Sequence, residues 1–303
     1  MWFNQRAMAT AFRKTIHTAG LIGKYQSPEV AESLPLLAAF LSGRGVRVLI
    51  EETLAGQLKV SHGETANYET MGRLADVAIV LGGDGTMLYV ARRLAAFGVP
   101  LAGVNLGRLG FMTDIARHDM LAGVNDLLDG RFTTEARVLL DVKVWRDGAP
   151  IFDNLAFNEV VVNKGDLGRM IEMRVEVDGE FLYLLRADGL IVGTPTGSTA
   201  YALSANGPIL HPGVAGIALV PLCPHALSNR PITIGDNSRI EISLLPPHDG
   251  RVHVDGQVRR DALTGDRISI ARAPLAVTLL HPPAYNYFAM LREKLRWSEP
   301  PRS

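Results

Sequence analysis

The 303-residue sequence has a single cysteine, Cys223. That excludes a disulfide framework and a thiolate metal cluster. It also lacks an excess of either charge: 31 Lys and Arg stand against 31 Asp and Glu. Zero net charge argues against a general nucleic-acid or membrane-surface binder, while leaving room for a local basic site. No internal repeat and no low-complexity segment is present, so solenoids and disordered tracts are set aside. The opening MWFNQRAMATAFRKTI has no apolar core of the kind a signal peptide needs, which points to a cytoplasmic setting; Met8 offers a second start. Acidic and basic residues are missing altogether from Gly189 to Asn229. A spanning helix needs about 20 mostly apolar residues, and this run is broken by Pro195, Pro208, Pro212, Pro221 and Pro224. It therefore reads as buried loops and short elements lining a cleft.

What is present is a globular composition, 47% hydrophobic, with a change of grammar along the chain. TIHTAGLIGK reads as a buried strand and SPEVAESLPLLAAFLSGRG as a helix, with Ser27 as its cap and Pro28 at its first position. VRVLIEE is a second strand. ADVAIVLGGDGTMLYVARRLAAFG is strand, glycine turn and helix, and VPLAGVNLG is a further strand. Strands alternating with helices imply a parallel sheet that binds ligands at its carboxyl ends. From about residue 136 the pattern alternates with period two. RVLLDVKVWRDGAPIF turns at Asp147-Gly148 and MRVEVDGEFLYL at Asp178-Gly179, each a hairpin signal. RIEISLLPPHDGRVHVDGQ and DRISIARAPLAVTLL continue in the same manner. The expected organisation is a Rossmann-like α/β domain over 1–135, a β-rich, sandwich-like domain over 136–280, and a tail, 281–303, with a helical apolar pattern in YNYFAMLREKLRW that packs back on the body.

Three segments carry chemistry. LGGDGTML, residues 81–88, is neither the dinucleotide fingerprint nor the P-loop. Gly82, Gly83, Gly85 and Thr86 suit a phosphate at a helix N-terminus, yet Asp84 brings a negative charge to it. Either Asp84 caps the helix, or it binds Mg²⁺, or it accepts a proton from an attacking hydroxyl; the last two point to phosphoryl transfer. TPTGSTAY, residues 194–201, concentrates hydroxyls that can hydrogen-bond ribose and phosphate without adding charge. In FNEVVVNK, residues 157–164, Asn158 and Glu159 head a β-branched strand; the pair suits an adenine edge or a ribose diol, and equally a capping role. His253 and Asp255 form a lone HxD on a strand, more in keeping with a structural histidine than with a metal site.

Together these segments, with NLGRLGFMTD, CPHALSNRPI and VDGQ, resemble the NAD kinase family over roughly residues 16–297. TPTGSTAY is the specific part; GGDGT is shared with diacylglycerol, sphingosine and phosphofructokinase-like kinases. The resemblance implies an α/β domain, a β-sandwich-like domain and an active site between them. It implies transfer of the γ-phosphate of ATP, brought as its Mg²⁺ complex, to the 2′-hydroxyl of the adenosine ribose of NAD⁺. By position, Asp84 is the proton acceptor, and Asn158, Glu159, Asp188, Thr199, Ala200, Tyr201, Ala202, Leu203 and Ser204 contact NAD. Arg186 matches an arginine of Gram-negative-type members, which prefer NAD⁺ to NADH and ATP to polyphosphate; otherwise it is a solvated strand-end charge. Arg169 aligns with an NAD-contacting arginine, and Gln257 in VDGQ either reaches the dinucleotide or belongs only to a hairpin turn. Asn206 stands where many members have glycine, which leaves the contacts beside Ser204 open. The resemblance further implies a homodimer or homotetramer. A lipid kinase and a catalytically silent dinucleotide sensor are the rival readings; the first has no reason to carry TPTGSTAY, and the second no reason to keep Asp84.

Overall fold

From Thr18 to Asn105, short runs of Val, Ile, Leu and Ala alternate with amphipathic segments, and the runs at Val77–Gly82 and Leu101–Asn105 become strands buried throughout. The computed structural model describes residues 15–24, 26–58, 61–107, 110–165 and 169–297; Met8 lies outside them. Among these the chain divides into two units, one running through Ala136 and resuming at Val277, the other Arg137–Ala276.

The first unit contains β1 (Thr18–Gly23), α1 (Pro28–Gly43), β2 (Arg47–Glu51), α2 (Glu52–Gln57), β3 (Glu64–Ala66), α3 (Tyr68–Leu74), β4 (Val77–Gly82), α4 (Asp84–Leu94), β5 (Leu101–Asn105), β6 (Ile115–Ala116) and α5 (Met120–Leu128). The strands pair in parallel in the order β5-β4-β1-β2-β3, with β6 also on β5. All six residues of β4, VAIVLG, are buried, as a strand covered by helices on both sheet faces requires. Pro28 does begin α1, but Ser27 makes no side-chain cap. Its hydroxyl donates instead to Glu29 Oε2, at 2.5 Å, so the expected capping bond is replaced by a charge-assisted one two residues on.

The second unit is built from β7 (Thr133–Arg146), β8 (Ala149–Ala156), β9 (Glu159–Lys164), β10 (Ile171–Val177), β11 (Glu180–Ala187), β12 (Gly189–Gly193), α6 (Tyr201–Ser204), β13 (Gly216–Leu222), β14 (Ile232–Gly235), β15 (Ile240–Leu245), β16 (Gly250–Val254), β17 (Val258–Ala262) and β18 (Arg267–His281). β7 and β18 each cross the boundary between the units; α7 (Tyr287–Leu295) then lies in the first. One antiparallel sheet runs β14-β13-β12-β9-β16-β17, and another joins β11, β10, β15 and β18. Alternate residues from both, such as Val160 and Val162 of β9, Met173 and Val175 of β10, and Ile240 and Ile242 of β15, form a shared core. This is the α/β-plus-β-rich fold read from the sequence. Asp147-Gly148 and Asp178-Gly179 turn with φ of 51° and 79°, and 55° and 84°, the left-handed pair a two-residue hairpin demands. Asp249-Gly250 does not. β15 and β16 lie in different sheets, and Asp249 Oδ1 accepts from the amide of Thr264.

The uncharged run has a physical reason. Val161 of β9, Ile191 of β12 and Ala218, Val220 and Leu222 of β13 share the opposite face of this sheet, and Ala202 and Leu210 pack against them. The central strands are therefore buried on both faces. Among the described residues no helix is long and apolar enough to cross a membrane.

Candidate functional site

In the first unit, β4 ends at Gly82 and α4 begins at Asp84, with Gly83 as the N-cap residue. Gly82 is packed: a Cβ there would stand 2.5 Å from Thr86 Oγ1. Gly83 faces open space, so its backbone is accessible to a ligand. Asp84 is not the cap of its own helix. Its carboxylate turns to the segment after β5, where Oδ2 accepts from the amide of Phe111 (2.7 Å) and Oδ1 from that of Met112 (3.0 Å) and from Thr113 Oγ1 (3.3 Å). Thr113 is in turn held by Asn105, whose Nδ2 donates to Oγ1 at 2.9 Å. Gly110 completes the fit, because a Cβ on it would stand 2.1 Å from Asp84 Oδ1. Arg108 and Leu109 of the same loop lie outside the described residues.

Gly83, Gly85 and Thr86 line a cavity of about 560 Å³ with Lys24, Glu51, Tyr68 and Tyr89. Lys24, just beyond the carboxyl end of β1, puts a cation at the glycine turn. Sequence reading passed over it, although the carboxyl ends of parallel strands are where ligand residues collect. Asn105, Gly110 and Thr113 were missed as supports of Asp84; they lie within the NLG and GFMTD segments but carry no local sign of contact with it.

In the second unit, Asn158 and Glu159 stand at the head of β9. Their position is set by Asp255, a buried residue at φ 51° in the turn between β16 and β17. Its carboxylate accepts from the amides of Phe157 (3.0 Å), Asn158 (2.7 Å) and Glu159 (3.1 Å). The Asp-Gly of VDGQ is thus a hairpin turn and a clamp at once. Asn158 Oδ1 and Glu159 Oε2 are buried without a hydrogen-bond partner. Burial, and then the neighbouring Asp255 charge, push Glu159 up to about 8. An orphaned buried acceptor costs about 1–3 kcal/mol, so both atoms await a donor. Glu159 shares a cavity of about 260 Å³ with Asn163, Tyr201, His253 and Gly256, and Asn163 Oδ1 is likewise unpartnered.

TPTGSTAY folds differently from its reading as a ligand-facing row of hydroxyls. Thr194 Oγ1 donates to Phe157 O, Ser198 Oγ to Pro195 O, and Thr196 Oγ1 accepts from Arg137 Nη1. All three residues are buried, so their hydroxyls shape the loop. Gly197 lies so close to the backbone of Asn158 that a Cβ would meet its carbonyl at 2.1 Å, which ties the loop to the strand head. Thr199 and Ala200 are half-buried, and Thr199 Oγ1 donates to Thr196 O. Tyr201 is exposed and reaches the cavity, Ala202 packs onto the sheet, Leu203 is half-buried and Ser204 exposed. Asn206 takes φ 61°, so the turn beside Ser204 keeps the left-handed backbone that asparagine tolerates. Asp188 pairs with Lys164 at 2.8 Å. Arg186 is exposed, 3.9 Å from the Glu172 carboxylate. Arg169 and Gln257 are exposed and do not line the cavity. Among the described residues no cluster of three His, Cys, Asp or Glu can hold a metal ion.

Residues 19–132 match the model of the ATP-NAD kinase N-terminal domain and residues 157–281 that of the ATP-NAD kinase C-terminal domain. The chain is 58% identical to the NAD kinase of Aromatoleum aromaticum over all of its own length and 99% of the relative's. It is 60% identical to that of an Azoarcus species, over 94% of this chain and 97% of the other. Among solved structures it superposes on an Archaeoglobus fulgidus NAD kinase in complex with ATP with a TM-score of 0.71 and 26% identity, covering 92% and 98% of the two chains. It shares its fold with yeast NADH kinase complexed with NADH, at a TM-score of 0.87 and 24% identity, covering 96% and 90%.

Proposed function

The chain belongs to the NAD kinase family, and from that premise we propose that it transfers the γ-phosphate of ATP to the 2′-hydroxyl of the adenosine ribose of NAD⁺, with Asp84 as proton acceptor. The observation that carries this reading is the state of Asp84. It sits at a helix N-terminus in a glycine turn, plays no part in capping, and is held by two main-chain amides, while the adjoining Gly83, Gly85 and Thr86 line a cavity. A base so fixed takes the 2′-hydroxyl proton as the oxygen attacks the γ-phosphorus; the bond to the β–γ bridging oxygen breaks and ADP leaves. The glycine amides and Lys24 offset the phosphate charge that would otherwise repel the carboxylate.

Recognition of the acceptor falls to the head of β9. Asn158 and Glu159 offer buried polar atoms in want of partners, and an adenine amine and ribose hydroxyls are such partners. Below pH 8 the Glu159 carboxyl keeps its proton, so it donates as well as accepts. Thr199 to Ser204, Asp188, Arg169, Arg186 and Gln257 are the further contacts proposed for NAD; of these Tyr201 lines the cavity beside Glu159, whereas Arg169 and Gln257 stand outside it. Mg²⁺ enters as MgATP: it favours phosphate oxygens and few protein ligands, and among the described residues no cluster of three His, Cys, Asp or Glu competes for it. There it would neutralise charge on the donor phosphates. The substrates are small molecules, and neither nucleic acid nor membrane is a partner. Phe181 and Leu184, 52% and 60% exposed on the edge strand β11, favour a homodimer or homotetramer. The single cysteine suits a reducing, cytoplasmic setting.

The test is NADP⁺ formation by the full-length chain from NAD⁺ and MgATP, run beside diacylglycerol and sphingosine as acceptors. Turnover of NAD⁺ alone is expected. Phosphorylation of a lipid, or NAD⁺ binding without turnover, sinks the reading in favour of the lipid kinase or the silent sensor.

A further inference from the structure

His281, the last residue of β18, is 1% exposed. Both of its ring nitrogens face carboxylates of the same unit: Nδ1 lies 2.6 Å from Asp114 Oδ2 and Nε2 3.1 Å from Glu135 Oε2. Its ring stacks on Tyr285, with centroids 3.8 Å apart and planes 9° from parallel. A neutral imidazole carries one N–H, so it would present a lone pair to one of the two carboxylates; only the imidazolium donates to both. The second oxygen of Asp114 is buried without a partner, which makes that carboxylate dependent on His281. Asp114 directly follows the residues whose amides and hydroxyl hold Asp84, and β6 begins at the next residue.

We propose that His281 is a positioning residue of the phosphoryl transfer: by bridging Asp114 and Glu135 it holds the segment Gly110–Thr113 in the conformation that grips the Asp84 carboxylate. The proposal rests on the reading of Asp84 as the base. His281 does not touch the reactants; it acts through Asp114, the adjoining backbone and the amides of Phe111 and Met112. Burial alone would push His281 down, but its hydrogen bonds to Asp114 and then Glu135 outweigh it and hold it above the usual histidine range. Asp114, Glu135 and the stacked Tyr285 are the titratable groups that face it. The sign follows. The bridge is complete while the ring is protonated, and it is lost as pH rises through the raised value. Activity should therefore fall on an alkaline limb that belongs to His281.

The experiment measures kcat against pH for the full-length wild-type enzyme, Asp114→Asn and Glu135→Gln at saturating NAD⁺ and MgATP. In parallel, the His281 ring is titrated by NMR in chains carrying isotope-labelled histidine, with His281→Gln identifying its signals. Removing either carboxylate should draw the alkaline limb to lower pH together with the ring titration. Each unit of that shift is about a tenfold loss of kcat on the alkaline side. A merely structural part would lower kcat equally at every pH. A limb unmoved in both variants, or one that does not track the ring, overturns the proposal. Should Asp114→Asn fail to fold, Glu135→Gln, at a side chain 23% exposed, still decides. Asp84→Asn separates the two ideas: wild-type kcat there removes the base reading, whereas lost kcat with an unmoved limb removes only His281.

Discussion

Asp84 in the first unit accepts hydrogen bonds from the amides of Phe111 and Met112; Asp255 in the second accepts them from Phe157, Asn158 and Glu159. The device is the same, a carboxylate gripped by consecutive main-chain donors, but the surroundings differ. Asp84 is half-buried at the start of α4, next to Gly83, which faces open space. Asp255 is 6% exposed and closed in by the strand it clamps, so it can only position others. The charge it brings is felt at the Glu159 side chain, where burial first and then Asp255 push the carboxyl up. One motif of hydrogen bonding thus stands half-buried at the glycine turn, where the proposed function gives it chemistry, and closed in at the head of β9, where it positions three amides.

The comparison breaks most readily at Asp84. Asp84→Asn keeps the size of the side chain and removes the base, so kcat should fall by roughly two to four orders of magnitude with NAD⁺ affinity within a few-fold; steady-state kinetics beside calorimetric binding check both. Lost binding with kcat intact would reverse the two roles. Asp255→Ala should show the opposite profile. Three buried amides lose their acceptor at about 1–3 kcal/mol each, so denaturant unfolding should report a loss of several kcal/mol, and NAD⁺ affinity should drop because Asn158 and Glu159 are no longer held.

Glu159 sharpens the contrast through pH. Its folded value is pushed up to about 8 from the ordinary 4.5. The unfolded chain therefore gives up this proton at lower pH than the folded one, and stability is lost as pH rises from about 4.5 to 8, by at most a few kcal/mol. Glu159→Gln should flatten that slope in thermal unfolding across the same range; an unchanged slope would mean that the carboxyl is ionised in the fold. Arg186→Gly carries the smallest effect. Exposed and loosely paired with Glu172, it should leave stability within about 0.5 kcal/mol while relaxing the preference for NAD⁺ over NADH. An unaltered ratio of kcat/KM values removes it from the site.

The fold was legible because its signals are local. The β-branched and apolar runs, the glycine turn before α4 and the Asp-Gly pairs at 147–148 and 178–179 each act within a few residues. Legibility ended where partners are distant in sequence. Asp255 reads as a turn residue, and nothing near it announces the amides of Phe157 to Glu159, about a hundred positions earlier. Asp249-Gly250 reads as one more hairpin, yet its flanking strands pair in separate sheets. The hydroxyls of TPTGSTAY look ligand-facing until Arg137, Phe157 and Leu210 close around them. The His281 bridge joins residues 114, 135 and 281, a spacing that carries no signature.

The most direct test is a crystal structure of the full-length enzyme with NAD⁺ and a non-transferable ATP analogue. The account predicts an Asp84 carboxylate oxygen within hydrogen-bond reach, about 2.6–3.2 Å, of the adenosine ribose 2′-hydroxyl, with that hydroxyl in line with the γ-phosphorus. A carboxylate bound instead to the metal on the phosphates, or turned away from the ribose, would contradict it.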